Sequence, residues 1–224
     1  MTTDTEKILD SLTLDDMIGQ MLCFLMPRKA TEEQIEKIVS YTKAGSFFVS
    51  ANGRGEIEQC TKIIEKHTKL PALIAADIEA GPGHVWNAAV EPALPDVMAW
   101  GACDDPALIE KAHIALPAYD EKIDDRLGYL PATLSYHLQT ELLKGELGFK
   151  GCIVSDALSM IGASSVVPHD RLAVEFVKAG GDMLLFPLPE YFDQIKAAVL
   201  SGEIPTERIR DAVRRVIETK KRMK

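Results

Sequence analysis

Cysteine is scarce in this sequence, with only four among 224 residues, at positions 23, 60, 103 and 152. They lie far apart and form no C-x-x-C spacing, the pattern typical of zinc sites and thiol redox centres. The sequence therefore predicts reduced, buried thiols and a cytoplasmic protein. The five histidines are scattered as well and form no H-E-x-x-H pattern. We accordingly expect no metal and no other cofactor.

Long apolar runs are missing too. No stretch approaches the roughly 20 residues that a bilayer-spanning helix needs. The N-terminal sequence MTTDTEKILD has neither the basic region nor the apolar region of a secretory signal. We therefore expect no membrane partner and no signal peptide.

Clustered positive charge is confined to one place. The net charge is −9, which argues against a nucleic-acid partner because phosphate binding needs grouped Lys and Arg. The one basic cluster lies near the C-terminus, at positions 214, 215, 220–222 and 224. Cations are favourable at the carboxyl end of a helix, so this cluster predicts a solvated helix end.

The first third of the chain alternates between strand and helix patterns. Apolar runs typical of buried strands cover 21–26, 46–51 and 72–78, and amphipathic patterns typical of helices cover 14–19, 31–43 and 56–69. Such alternation predicts parallel strands joined by right-handed crossovers, with helices on the faces of the sheet. The sequence thus indicates an α/β domain.

The rest of the chain follows a less regular pattern. A helix is predicted from Asp105, a loop over 117–129, and a short strand at 183–186. Further helices are predicted over 134–147, 171–178, 191–200 and 206–223. The segment His113–Leu116 fits either the end of a helix or a short strand.

Acidic residues follow two of the predicted strands. Asp156 comes after the run Cys152–Val154, and Asp77 with Glu79 ends the third strand before a Gly-Pro-Gly loop. Parallel strands place their carboxyl ends at one edge of the sheet, which is where α/β proteins build their active sites. Asp156 is thus a candidate nucleophile or base, and the alternative of comparable weight is that it caps the next helix.

Several short segments, taken together and in order, resemble the N-terminal catalytic domain of glycoside hydrolase family 3. They are Ile18–Met21, Ala75–Glu79, His113–Pro117, Leu130–Ser135, Glu146–Gly151, Val154–Met160 and Ala179–Met183. The form Ser-Asp-Ala-Leu-Ser-Met is closer to the β-N-acetylhexosaminidase branch than to the β-glucosidase branch. The resemblance covers nearly the whole chain.

The resemblance implies a (β/α)8 barrel or a close variant, and a retaining glycosidase acting on a small carbohydrate. It matches Asp156 to the nucleophile and Asp77 to an acid that holds sugar hydroxyls. It also assigns Glu79, His113 and Met160 to substrate binding, although His113 fits an ordinary helix position equally well. A β-N-acetylhexosaminidase or a β-glucosidase-like activity is implied.

The chain departs from the family pattern where the general acid belongs. In the hexosaminidase branch a histidine assisted by an aspartate follows a Lys-His-Phe-Pro-Gly strand, and this sequence has no such motif. The Phe-Ala-Pro-x-x-Asp strand is absent as well, and Ala80-Gly81-Pro82 replaces the usual Gly-Gly-Arg. We therefore predict a single domain over 1–224 with a block missing near 110–116.

Chain length agrees with a shortened barrel. A complete barrel takes about 250 residues, so we expect an incomplete or rearranged (β/α)8-type barrel with about five or six parallel strands. Three hypotheses follow: a weak or inactive glycosidase, a non-catalytic sugar-binding relative, and a structural chain. In the last, the open sheet edges pair with another copy, because exposed edges favour association.

Overall fold

A parallel sheet lies at the centre of the molecule. The computed structural model describes residues 4–26, 28–49, 54–76, 122–124 and 128–222. Its strands are β1 (Leu22–Met26), β2 (Ser46–Val49), β3 (Leu73–Ala76), β4 (Lys122–Asp124), β5 (Gly128–Tyr129) and β6 (Leu184–Leu185). Four of these form the parallel sheet, in the order β3-β2-β1-β6. The last strand therefore lies beside the first.

A fifth position extends this sheet beyond β6. Val154 forms a single parallel bridge with Met183, so the order continues from β6 to the segment around Val154. An arrangement in which the last strand pairs with the first is how a (β/α)8 barrel closes. The sheet thus has the α/β architecture and the parallel arc that the sequence predicts.

Helices cover the outer face of the arc. They are α1 (Asp4–Asp10), α2 (Leu14–Gln20), α3 (Glu32–Thr42), α4 (Arg54–His67), α5 (Ile161–Ser164), α6 (Leu172–Ala179), α7 (Glu190–Leu200) and α8 (Thr206–Arg222). A 3-10 turn covers Ala132–Leu134. The helix predicted over 134–147 is a π-helix over His137–Glu146. At its end the hydrogen bond spans five residues, as in a π-helix, with Leu147 N donating to Leu142 O at 2.9 Å.

Several elements were not expected from the sequence. Helix α1 has no counterpart in the predictions, and its ion pairs with α8, such as Glu6 with Arg214, are non-local. The short helix α5 was not predicted either. The predicted loop over 117–129 contains β4 and β5, which pair with each other in antiparallel fashion and are too short to give a strand pattern.

Threonine caps start two of the predicted helices. The Thr13 hydroxyl accepts a hydrogen bond from Asp16 N at 3.2 Å, while the Asp16 carboxylate accepts one from Thr13 N at 3.0 Å. Thr31 and Gln34 form the same reciprocal capping box at the start of α3. The helix starts predicted at these residues are therefore confirmed, and the pairing satisfies amide groups that a helix end leaves free.

The strands divide the apolar core into two clusters. Leu22, Phe24 and Phe47 belong to the larger cluster, which includes side chains of the covering helices. Cys23, Phe48 and Met183 belong to a smaller cluster with Val216. Neighbouring residues of β1 and β2 thus contribute to different clusters, as the alternating direction of strand side chains requires.

Gly19, in the Ile18–Met21 segment, lies where two backbones meet. A Cβ at Gly19 would lie 2.2 Å from the Lys43 carbonyl oxygen, and Gly45 N donates to Gly19 O at 3.0 Å. Only glycine permits this approach, which joins the end of α2 to the start of β2. The glycine of this segment is therefore a packing requirement.

Lys220 does not belong to the solvated helix end that the sequence predicts. It is only 8% exposed, and its ammonium donates to Gln20 Oε1 and to Gly45 O, each at 2.7 Å. Gln20 and Gly45 stand just before β1 and β2. Helix α8 therefore crosses the amino-terminal edge of the sheet, and Lys220 anchors it there.

Burial gives this anchor a pH signature. It lowers the pKa of Lys220 from 10.5 to about 8. Between these values the unfolded chain keeps a proton that the folded chain has lost, so Lys220 makes the free energy of unfolding rise with pH. The rise amounts to about 3 kcal/mol, at 1.4 kcal/mol for each unit of the pKa difference.

Urea unfolding at several pH values measures this effect as the difference between the wild type and Lys220→Met. The free energy of unfolding of the wild type minus that of the variant should be constant below pH 8. It should then increase by about 3 kcal/mol between pH 8 and pH 10.5. Burial raises the pKa values of Cys23 and Cys152 to about 12, which opposes the rise in both proteins; Cys152 contributes equally to the two, whereas Lys220 lowers the pKa of Cys23 against this burial. Parallel curves for the two proteins would contradict the assignment.

Candidate active site

The segment from Cys152 to Asp156 forms less of a strand than the sequence predicts. Its backbone joins the residues just before β6 through three hydrogen bonds: Asp182 N and Met183 N donate to Ile153 O at 2.9 and 3.0 Å, and Ser155 N donates to Met183 O at 2.9 Å. Val154 is 49% exposed, so the expectation of a buried strand is wrong. The physical reason is that, within the described ranges, β6 is its only neighbouring strand.

Asp156 leaves the sheet directly after this segment. It caps no helix, because the nearest one, α5, begins only at Ile161 and has Met160 as its N-cap. Its Oδ1 accepts a hydrogen bond from Ala157 N at 2.6 Å, and the residue is partly exposed. The helix-cap interpretation of Asp156 is therefore wrong, and a carboxylate stands at the carboxyl end of a strand segment.

Another predicted site residue directly follows a described strand in the sequence. Strand β3 ends at Ala76, one residue before Asp77, and it runs parallel to the strands next to it. Asp77, Glu79 and His113 themselves lie outside the described residues. Their roles stay predictions.

Two apolar side chains follow the same strand segments in the sequence. Met160, the described member of the predicted binding set, is 43% exposed four residues beyond Asp156. Phe186 follows β6 and packs edge-on against Phe48, with ring centroids 4.8 Å apart. The φ angle of Phe186 is 49°, in the left-handed region that non-glycine residues seldom adopt. Such strain is often found at functional sites.

A buried charged cluster lies at the opposite end of β6. Asp182 is fully buried, and its Oδ1 accepts from Lys144 Nζ at 2.8 Å and from Arg208 at 2.9 Å. Its Oδ2 accepts from Ile153 N at 2.9 Å. One carboxylate thus connects the π-helix, α8 and the segment that leads to Asp156.

The cations of this cluster also bind backbone oxygens. Lys144 donates to Gly180 O at 2.6 Å, and Arg208 Nε donates to Val177 O at 3.1 Å. Burial lowers the pKa of Lys144, against the opposing effect of Asp182. The cluster was not predicted from the sequence, where Ala179–Met183 is only a family-like segment. The one signal that could have indicated it is an acid, Asp182, directly before an apolar strand.

Other features of the surface do not add to the site. In the parts of the chain that the structure describes, no group of His, Cys, Asp and Glu could hold a metal ion. The same parts contain no helix that is both apolar and long enough for a bilayer. A polar cavity of about 450 Å³ lies between α2, α3 and the end of α4, and Asp156 does not line it.

Comparison with protein families gives a match over half of the chain. A family model described as "Glycosyl hydrolase family 3 N terminal domain" matches residues 107–219. The matched range contains Asp156, Met160 and the cluster around Asp182.

Two curated relatives are similar over about half of the chain. A "Beta-N-acetylglucosaminidase/beta-glucosidase" of Cellulomonas fimi is 36% identical over 113 residues, which are 48% of this chain and 20% of that protein. A "Beta-hexosaminidase A" of Pseudoalteromonas piscicida is 31% identical over 133 residues, 53% of this chain and 22% of that protein. The chain thus spans about a fifth of either relative.

A solved structure shares the fold across nearly the whole chain. It is described as a glycoside hydrolase family 3 β-N-acetylglucosaminidase from Paenibacillus sp. str. FPU-7, with a TM-score of 0.71 and 20% identity. The superposition covers 95% of this chain and 63% of that one. The similarity supports the barrel-type fold.

Proposed function

The chain belongs to glycosyl hydrolase family 3, and on that premise we propose that it is a retaining β-glycosidase whose nucleophile is Asp156. The observation that carries this proposal is the position of Asp156, partly exposed where the chain leaves the sheet and not bound to any helix end. The names of the two relatives favour β-linked N-acetylhexosaminides as substrates. A β-glucoside is the next substrate to assay.

The proposed chemistry begins at the anomeric carbon. An oxygen of Asp156 forms a bond to this carbon while the bond to the leaving oxygen breaks, which gives a glycosyl-enzyme intermediate. Water then attacks the same carbon, releases the carboxylate, and yields a sugar of retained configuration. Met160 and the ring of Phe186 are apolar surfaces near the bound sugar in this proposal.

The leaving oxygen needs a proton, and the segment that supplies it in the hexosaminidase branch is missing from this sequence. General acid catalysis is worth about 10²–10⁴-fold. We therefore expect natural disaccharides to react more slowly than aryl glycosides by about this factor, because an aryloxide leaves without protonation. Sugar binding without turnover would favour the non-catalytic alternative.

Covalent labelling tests the nucleophile separately from the acid. A 5-fluoro-N-acetylglucosaminyl fluoride carries a leaving group that needs no proton, and its ring fluorine slows both steps so that the intermediate accumulates. Tryptic digestion would place the adduct in the peptide Gly151–Arg171, which contains Asp156 and Asp170 as its only acids. Fragmentation of this peptide should locate the sugar on Asp156.

Asp170 provides the matched control for the labelling. It is exposed and lies in the same tryptic peptide. An Asp170→Ala variant should be labelled like the wild type, and an Asp156→Ala variant should not. An unlabelled wild type, or a sugar on Asp170, would overturn the proposed nucleophile.

We also propose a cytoplasmic location, no nucleic-acid partner, and association of two copies through sheet edges. Among the described strands, β3 has β2 on one side and no strand on the other. The segment around Val154 has β6 as its only neighbouring strand in the same part of the chain. Two such edges support association because they leave backbone groups available for pairing.

A further inference from the structure

Ser155 completes the hydrogen bonding between β6 and the segment that carries Asp156. Leu185 N donates to Ser155 Oγ at 3.1 Å, and Ser155 itself is only 4% exposed. Before this point Met183 pairs as in a parallel ladder, with Met183 N on Ile153 O and Ser155 N on Met183 O, and Asp182 N also donates to Ile153 O at 2.9 Å. The next regular bond would run from Leu185 N to the Ser155 carbonyl.

The hydroxyl of Ser155 thus takes the place of its own carbonyl. In a parallel ladder every second amide of a strand donates to the same neighbour. The amides of β6 follow this rule on the other side, where Leu184 N donates to Met21 O at 2.8 Å and Phe186 N to Cys23 O at 3.0 Å. With Leu185 N bound to a side chain, the Ser155 carbonyl is released from the ladder and the backbone turns out of the sheet at Asp156.

We infer that Ser155 is a positioning residue, which fixes the direction in which the Asp156 carboxylate leaves the sheet. The inference rests on the proposed function, because it concerns the same nucleophile. Ser155 touches no substrate in this scheme and acts through the backbone of Asp156. A carboxylate that must attack a carbon loses rate steeply when it is displaced, by up to about 10²-fold for an error near 1 Å.

The test compares Ser155→Ala with Ser155→Thr. Alanine removes the acceptor, and threonine keeps an oxygen at the same position. We expect the rate of covalent labelling by the 5-fluoro fluoride probe to fall about 10- to 100-fold in Ser155→Ala, with the probe concentration for half-maximal rate little changed. Ser155→Thr should recover most of the lost rate.

A second measurement separates positioning from general damage to the fold. Hydrogen exchange resolved at single amides should speed up at Leu185 in Ser155→Ala, but not at Leu184 or Phe186, whose partners lie on the side of β1. The control is Ser165→Ala, which removes an exposed hydroxyl bound to Ile161 O. It should leave both the labelling rate and the exchange at Leu185 unchanged.

Each outcome decides a different question. A labelled wild type with equal rates in Ser155→Ala overturns the inference and leaves the proposed function in place. A wild type that is never labelled overturns the proposed function. If the wild type is never labelled, hydrogen exchange still tests the role of Ser155. An unchanged exchange rate of the Leu185 amide in Ser155→Ala overturns the inference as well. A faster rate supports the hydrogen bond from Leu185 to Ser155 on which the inference depends.

Discussion

An Asp156→Ala variant should lose turnover of 4-nitrophenyl N-acetyl-β-glucosaminide by about 10³-fold or more, the scale of loss when a member of a catalytic group is removed. The loss follows because no other carboxylate of the described segment around β6 stands where the chain leaves the sheet: Asp182 is fully buried at the opposite end. The substitution also removes an acceptor of the Ala157 amide, so stability must be measured beside activity.

Azide distinguishes a lost nucleophile from a lost fold. The shortened side chain leaves room for azide to attack the anomeric carbon from the same face as the carboxylate. The carbon–nitrogen bond then forms as the aryloxide leaves, and the product is a glycosyl azide of inverted configuration. Full activity of Asp156→Ala would contradict the role of Asp156 as nucleophile. Asp170, an exposed residue further along the chain, is the control, and Asp170→Ala should behave like the wild type.

An Asp182→Ala variant should lower the free energy of unfolding by about 3–5 kcal/mol, as expected when one partner of a buried ion pair is removed. The side chains of Lys144 and Arg208 are only 10% and 17% exposed, so both cations would remain in the interior without their shared carboxylate. The amide of Ile153 would lose its acceptor as well. Chemical unfolding should show a lower midpoint with an unchanged slope.

Asp211 is the matched control for this substitution. It contacts the same two cations, at 3.8 Å from Lys144 and 3.4 Å from Arg208, but its side chain is 39% exposed. It also pairs with Arg214 and Arg215, at 3.5 and 3.3 Å, and its contact with solvent weakens each of these ion pairs. Asp211→Ala should therefore cost clearly less than Asp182→Ala, and equal losses in the two variants would show that burial is not the cause.

Local patterns predicted the regular part of the fold well. The apolar runs that became β1, β2 and β3 were visible as runs of adjacent residues, and the threonine caps of α2 and α3 are made by residues three positions apart. The predicted strands begin one residue early at Met21 and Ala72, and the strand predicted over 183–186 extends one residue beyond β6 at each end, since the periodicity of apolar residues does not show where pairing stops. Helix α1 escaped prediction because its ion pairs are made with α8.

Asp156 was visible in the sequence as an acid after an apolar run. The structure removes the helix-cap interpretation, and the role of Asp156 as nucleophile stays a prediction. The contacts around this residue could not be predicted from the sequence. Ser155 and Lys220 show why. Serine and lysine are common on protein surfaces, so neither residue stands out in the sequence. Only their long-range contacts, of Ser155 with Leu185 and of Lys220 with Gln20, distinguish them.

The place of β6 between β1 and the Ser155 segment has a consequence for folding. β1 pairs with a strand about 160 residues further along the chain, Leu22 with Leu184. Contacts between such distant residues form slowly, because a long loop must close first. The first three strands are synthesised more than 100 residues before β6, so the sheet can accept β6 only after a long intervening segment has left the ribosome. Asp156 should therefore acquire its environment only after β6 has joined β1.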